Sequence, residues 1–302
     1  MRYLIIDIGS NTVKYDLFVC KKGRLPAKIG HKSRALRLIN YITDGKLSSE
    51  GLSLLCDTLK QYEKDGKKEK ALVFPFATAS FRRISDPYET IDEIKKQTGL
   101  TVRLLSGSEE AECSFQGMLS TMKDLPRCGY MIDMGGGSTE LTLFEDRAAG
   151  YLYSCPFGAL SVKNAAGADD AIKKEQRRAA SEFVAGLLPS KLSDFGEGGK
   201  TAVLVGGTGK ALRTLAKELL SLKNAEHMTR EDFSALLDLI TDPSDALFEK
   251  MKELLPQRYQ LMGAGLAAFD AIFEKAGTEE IYVCPGGVRE GYLAMVQNAP
   301  KS

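Results

Sequence analysis

The chain carries one short pattern twice, 126 residues apart, and few folds can hold such a pair. In the first copy the apolar run Leu4-Ile5-Ile6 enters Asp7-Ile8-Gly9-Ser10-Asn11-Thr12 and leaves through an apolar stretch ending at Leu17-Phe18. In the second, Tyr130-Met131-Ile132 enters Asp133-Met134-Gly135-Gly136-Gly137-Ser138-Thr139-Glu140-Leu141. Without a gap, Asp7 falls on Asp133, Gly9 on Gly135, Leu17 on Leu143 and Phe18 on Phe144. Each copy reads as strand, acidic glycine turn, strand. Similarity at so long a spacing means a duplicated domain rather than a solenoid of short repeats.

Two further units recur in the same order. Ala71-Leu72-Val73-Phe74 enters Pro75-Phe76-Ala77-Thr78-Ala79-Ser80-Phe81-Arg82, and Ala202-Val203-Leu204-Val205 enters Gly206-Gly207-Thr208-Gly209-Lys210. Val102-Arg103-Leu104-Leu105 precedes Ser106-Gly107-Ser108-Glu109-Glu110, as Ile281-Tyr282-Val283-Cys284 precedes Pro285-Gly286-Gly287-Val288-Arg289. Each half thus runs as early strands in hairpins, then helix, strand, helix, strand, helix. That is an α/β fold, a mixed five-stranded sheet flanked by helices and made twice, with the strand-end loops expected to face a shared cleft. The boundary is expected near 123–128, where Lys123-Asp124-Leu125-Pro126-Arg127 interrupts the apolar pattern. This gives domains 1–125 and 126–302, with a last helix near 288–298 packing back on the first half.

Caps mark the helices. Asp86-Pro87-Tyr88-Glu89 is a capping box with proline at the first helical position, and Gly99 ends that helix. Leu52, Leu55, Cys56 and Leu59 recur at helical spacing within 49–65. Thr229-Arg230-Glu231-Asp232 and Asp242-Pro243-Ser244-Asp245 open two more helices, and 257–275 reads as a long one. The charged segment 169–199, ending in glycines, reads as an exposed helical insertion.

With 302 residues, 43% of them hydrophobic, the chain buries a substantial core, and two domains suit its size. A net charge of +1 argues against a nucleic-acid coat. The six cysteines show no CxxC spacing, so reduced thiols in a cytoplasmic protein are expected. The N-terminus turns polar too early for a signal peptide, and no apolar run approaches the roughly 20 residues needed to span a bilayer. From Leu17 to Thr43 there is no acid, whereas Lys21, Lys22, Arg24, Lys28, Lys32, Arg34 and Arg37 all occur. That stretch reads either as a solvated hairpin face or as an electrostatic approach path for a polyanion.

The glycine turns carry the chemistry. Residues without Cβ let backbone N–H groups close around an anion, so Gly135, Gly136 and Gly137 suit a phosphate nest. Ser138 and Thr139 add hydroxyl donors, and Asp133 with Glu140 offers hard oxygen ligands for a divalent cation. A glycine-rich hairpin turn has the same composition, so spacing alone leaves both readings open.

Five segments resemble the exopolyphosphatase and guanosine pentaphosphate phosphohydrolase family of the actin-like ATPase superfamily. They are Asp7–Thr12, Ala77–Arg82, Ser106–Ala111, Asp133–Leu141 and Gly286–Gly291, in the family's order across nearly the whole chain. The resemblance implies a duplicated actin-like (ribonuclease H-like) fold and Mg²⁺-dependent (or Mn²⁺-dependent) release of terminal phosphate. The implied substrates are inorganic polyphosphate or a guanosine pentaphosphate-type nucleotide. Such chemistry passes through a loose transition state and calls for positioning and charge neutralisation. By the same resemblance Glu110 aligns the attacking water, Arg82 contacts the phosphoryl group, and Glu140 is a metal ligand or alternative base. Asp133 and Asp7 are expected as further metal ligands. Gly9, Ser10, Asn11 and Thr12 mirror the Gly135–Thr139 nest, and Gly207, Thr208 and Gly209 resemble a phosphate-approaching loop. That loop is no Walker motif, because Ala211 follows Lys210. Arg289 and Glu290 suit either a site or a structural pair. Longer family members carry a further C-terminal domain with histidine-aspartate signatures, and the chain is expected to be a short form without it. No nucleic-acid or membrane partner is expected, and a homodimer is compatible. The competing readings are an actin-fold kinase and a non-catalytic polyphosphate- or nucleotide-binding regulator.

Overall fold

The structure, a computed structural model, describes residues 1–21 and 26–298, so Lys22 and Arg24 of the basic stretch lie outside the described residues. The chain divides into two units. One comprises Met1–Cys113 with the segment that starts at Arg289, and the other comprises Ser114–Val288. Both divisions fall in helices, Gly107–Thr121 and Val288–Asn298, rather than at the punctuated stretch 123–128. A helix that runs unbroken through a division leaves no proline or glycine signal there, whereas Pro126 marks only the turn into the next strand.

In the first unit the sheet order is Ala27–Ala35, Thr12–Val19, Arg2–Ile8, Leu72–Ala77, Arg103–Leu104. The first three strands are antiparallel neighbours, and Arg2–Ile8 and the last two run parallel. Leu4, Ile6 and Ile8 pack with Leu55 and Leu59 of helix Ser49–Lys68 and with Ile91 and Ile94 of helix Pro87–Thr98. Each fully buried leucine of that set contributes at most about 1.5–3 kcal/mol. Asp86 caps Pro87–Thr98 by accepting from Glu89 N–H, and Gly99 closes it at φ 77°. Tyr292 of the last helix meets Phe76 at 4.5 Å between ring centroids.

The second unit repeats this order with Ala148–Cys155, Thr139–Glu145, Cys128–Met134, Thr201–Val205 and Glu280–Val283. It then adds a sixth strand, His227–Thr229, antiparallel to Glu280–Val283. This corrects the expectation of five. Three residues that end on the cap of helix Arg230–Ile240 carry no alternating pattern of their own. The segment 169–199 also differs from its expectation. Its helix Lys174–Ala185 and the turns after it put Ala180, Val184, Leu188, Leu192 and Phe195 into the core. The charges that dominate its composition lie on the outer side of an amphipathic helix. The long helix Tyr259–Ala276 is buried along most of its length. Among the described residues no helix is long and apolar enough to cross a membrane, and no disulfide joins any of the six cysteines.

Candidate active site

The two glycine turns are built alike. Gly9 N–H donates to Thr12 O at 3.2 Å, and Gly135 N–H donates to Ser138 O at 3.0 Å, the same bond at the 126-residue offset. The carbonyls of both turns face their own unit. Ser10 O accepts from Ile39 N–H, and Asn11 O accepts from Leu36 and Arg37 N–H. Gly135 O and Gly136 O accept from Ala159 and Leu160 N–H at 2.9 and 3.0 Å. In a trans peptide the C=O and the following N–H point to opposite sides. The amides of Gly136 and Gly137, and of Asn11 and Thr12, therefore aim away from those partners, as an anion nest needs. Gly158 makes the second turn possible. A Cβ there would lie 2.6 Å from Gly135 O, Gly136 C and Gly137 N.

Glu109 and Glu110 divide two tasks. Ser106 Oγ accepts from Glu109 N–H, and Glu109 Oε2 accepts from Ser106 N–H, which is a reciprocal cap on helix Gly107–Thr121. Glu109 also pairs with Arg103 at 2.8 Å. The Ser106 N–H bond, with Arg103 behind it, holds the Glu109 carboxyl below its ordinary range against partial burial. Glu110, mostly buried, instead accepts from Arg82 Nη1 at 2.7 Å, and the same nitrogen donates to Leu105 O at 3.0 Å. Arg82 is thus fixed by a carboxylate and a carbonyl, while the neighbouring Arg83 is exposed.

Asp133 and Glu140 stand directly opposite each other across the hairpin Cys128–Met134 and Thr139–Glu145, at the same register as Asp7 and Lys14. Cross-strand partners share a face, so the two buried carboxylates project together. Ser114 Oγ donates to Asp133 Oδ2 at 2.5 Å, and Ser154 Oγ donates to Glu140 Oε1 at 3.0 Å. On its other side Asp133 rests on Gly206, where a Cβ would come within 2.2 Å of Oδ1 and φ is +74°. No cluster of three or more His, Cys, Asp or Glu side chains able to hold an ion occurs among the described residues.

The third loop opens helix Gly206–Leu219, whose first-turn amides have no partners within the helix. Thr208 Oγ1 donates to Met134 O at 2.9 Å and accepts from Arg258 Nη1 at 3.2 Å. The guanidinium lies so near that a Cβ on Gly207 would meet Arg258 Nη2 at 2.3 Å. A groove of about 330 Å³ runs alongside, lined among others by Gly207, Lys210, Thr214, Gln257 and Arg258. Gly209 is buried and packs on Leu204, so it serves helix–strand contact and not the groove. Sequence reasoning missed Arg258, Ser114 and Ser154, which sit in no glycine motif; only the fold carries them to the loops. A larger cavity of about 450 Å³, bordered by Arg127, Phe144, Glu145 and Phe195, holds none of the expected residues.

In the first unit Asp7 Oδ2 accepts from Arg289 Nη1 at 3.1 Å, and Arg289 Nε donates to Asp16 Oδ2 at 2.7 Å. The basic hairpin is largely occupied by its own unit. Lys32 pairs with Asp65 at 2.7 Å, Arg34 donates to Thr58 Oγ1, and Lys28 lies 3.7 Å from Asp16 and 3.8 Å from Glu290. This favours a paired hairpin face over a polyanion path.

The family model described as Ppx/GppA phosphatase family matches residues 19–298. Exopolyphosphatase 1 of Mycobacterium leprae is 24% identical over 97% of the chain and 88% of that protein. The guanosine-5'-triphosphate,3'-diphosphate pyrophosphatase of Aeromonas hydrophila is 25% identical over 96% of the chain and 58% of its own length. Among solved structures, an exopolyphosphatase from Cytophaga hutchinsonii superposes with a TM-score of 0.88 at 20% identity, covering 100% of this chain and 99% of that one. The Aquifex aeolicus Ppx/GppA protein gives 0.79 at 23% identity over 100% and 99%. These structures share the fold.

Proposed function

Starting from the Ppx/GppA phosphatase family, to which the chain belongs, we propose that it is a Mg²⁺-dependent phosphohydrolase. Its substrate is inorganic polyphosphate or a guanosine 5′-triphosphate,3′-diphosphate, and water attacks the terminal phosphorus. Glu110 orients that water as an acceptor, and Arg82 neutralises charge on the transferred group. The amides of Gly136 and Gly137, with Ser138, hold phosphate oxygens, as do those of Ser10, Asn11 and Thr12, whereas the buried Thr139 hydroxyl is already given to Phe157 O at 2.7 Å. Gly207 and Thr208 bind with Arg258 beside them. The carboxylates of Asp133 and Glu140 in the second unit, and separately that of Asp7 in the first, supply oxygen donors only. That suits a magnesium ion, which takes one or two carboxylates and completes its shell with water and phosphate. Bound there, the ion would offset the negative charge of the phosphate oxygens.

The observation that carries this reading is the division between neighbours. Glu109 does the capping, so Glu110 is not needed to stabilise its own helix and is held on Arg82 instead. The test is phosphate release from short polyphosphate, long polyphosphate and the guanosine nucleotide, with Mg²⁺ present and chelated. Glu110→Gln keeps the shape and a hydrogen-bond acceptor, and is expected to lower kcat by roughly 10²–10⁴. Unchanged turnover in that variant refutes the role of Glu110, and transfer to an acceptor without phosphate release refutes hydrolysis.

A further inference from the structure

A carboxylate that neither the glycine turns nor the family's motifs include is the most completely buried acid of the first unit. Asp16, on strand Thr12–Val19, has no exposed surface. His31 Nδ1 lies 2.6 Å from its Oδ1, and Arg289 Nε donates to its Oδ2 at 2.7 Å. Arg289, itself nearly buried, then reaches Asp7 Oδ2 with Nη1 at 3.1 Å, leaving Oδ1 beside the Gly9 turn. Lys28, at the edge of this cluster, stands between Asp16 and Glu290.

Charge counting gives the arrangement a purpose. Arg289 alone on Asp7 would offset its charge and weaken its attraction for a cation. With Asp16 ionised, the two carboxylates of Asp7 and Asp16 balance Arg289 and Lys14, which stands directly opposite Asp7; without it the group would carry one net positive charge, while Lys28 and Glu290 offset each other. We propose that Asp16 is a positioning residue whose charge occupies Arg289, so that Asp7 keeps its attraction for a divalent cation beside the arginine. This rests on the functional reading of Asp7 given above.

The test is Mn²⁺ binding to the full chain, read directly from the electron paramagnetic resonance of free Mn²⁺. Asp7→Asn separates the two claims. If it binds Mn²⁺ as tightly as the parent, the assignment of a cation to Asp7 falls, and the proposal for Asp16 falls with it. If it loses binding, the assignment of Asp7 stands and the other variants decide. Asp16→Asn is then expected to raise the Mn²⁺ Kd on the order of tenfold, since one unit charge is lost a short distance away in a partly desolvated site. Arg289→Gln is expected to lower the Kd, and Lys28→Gln, which removes a partly exposed cation, to lower it roughly two- to threefold. A purely structural role predicts the opposite for Arg289→Gln, because losing a strut weakens binding in both buried variants alike. Weaker binding in Arg289→Gln, or an unchanged Kd in Lys28→Gln, overturns the proposal. Should Asp16→Asn, or Arg289→Gln, which leaves a buried carboxylate without its cation, fail to fold, the sign in the partly exposed Lys28→Gln still decides it.

Discussion

Replacing Gly158 with alanine adds one carbon where the structure leaves no room. The new Cβ would lie 2.6 Å from Gly135 O, Gly136 C and Gly137 N. All three atoms are backbone, so no rotamer relieves the overlap, and the turn or helix Ala159–Ala165 must move by roughly an ångström to regain ordinary contact. Overpacking of this kind costs about 1–3 kcal/mol. The bonds from Ala159 and Leu160 N–H to the turn, at 2.9 and 3.0 Å, lengthen with the shift, and each contributes about 0.5–1.5 kcal/mol. The sum, roughly 2–6 kcal/mol, corresponds to a fall in Tm of roughly 4–24 °C for a unit of this size. If the amides of Gly136 and Gly137 hold phosphate, the same shift lowers kcat/KM by on the order of 10²-fold. Calorimetry and phosphate release from short polyphosphate measure the two effects. Gly150→Ala is the control, since its Cβ would meet nothing closer than Leu143 O at 3.8 Å; it is expected within about 0.5 kcal/mol of the parent. A Gly158→Ala protein with parental Tm and turnover refutes the reasoning. A lowered Tm with intact turnover refutes only the nest.

Glu109→Gln is expected to cost about 0.5–1 kcal/mol through the weakened cap and to leave kcat near parental; a turnover loss matching Glu110→Gln would contradict the division between the two. Burial pushes the Asp16 carboxyl up, but the His31 hydrogen bond and the Arg289 charge prevail and hold it well below the usual carboxylate range. A carboxyl lowered on folding adds stability that is full above its unfolded value, 3.8, and is lost as pH falls below it. The stability difference between parent and Asp16→Asn should therefore shrink from roughly pH 5 toward pH 2 in acid-dependent melts, and a widening gap contradicts the sign. Because Lys32 and Arg34 are engaged within their own unit, Lys32→Gln with Arg34→Gln is expected to leave the salt dependence of KM unchanged. A flattened dependence would restore the polyanion path.

Local patterns made much of the fold legible. Asp86 before Pro87 and Gly99 after Thr98 set one helix, and Thr229 with Asp232 set another. The 126-residue offset marked a duplicated unit, and the two copies share their strand order and the hydrogen bond inside each turn. The failures were those of a signal too short or too averaged. Strand His227–Thr229 is three residues long, and the segment 169–199 hides a buried stripe among its charges. The divisions at Cys113 and Val288 fall inside helices that the sequence had no reason to interrupt.

By itself the sequence determined that two acidic glycine turns exist, that each closes a strand pair, and which residue types surround them. Glycine placement and apolar alternation are local properties, so they can be read along the chain. Only the tertiary structure decided which acids do what. Glu109 and Glu110 are adjacent and chemically identical, yet one caps a helix and the other holds Arg82. Asp16, unremarked in the sequence, is tied to Asp7 through an arginine 273 residues away from it along the chain. A side chain's charge is written in its sequence, but its partners are set by the packing that brings distant strands and helices together.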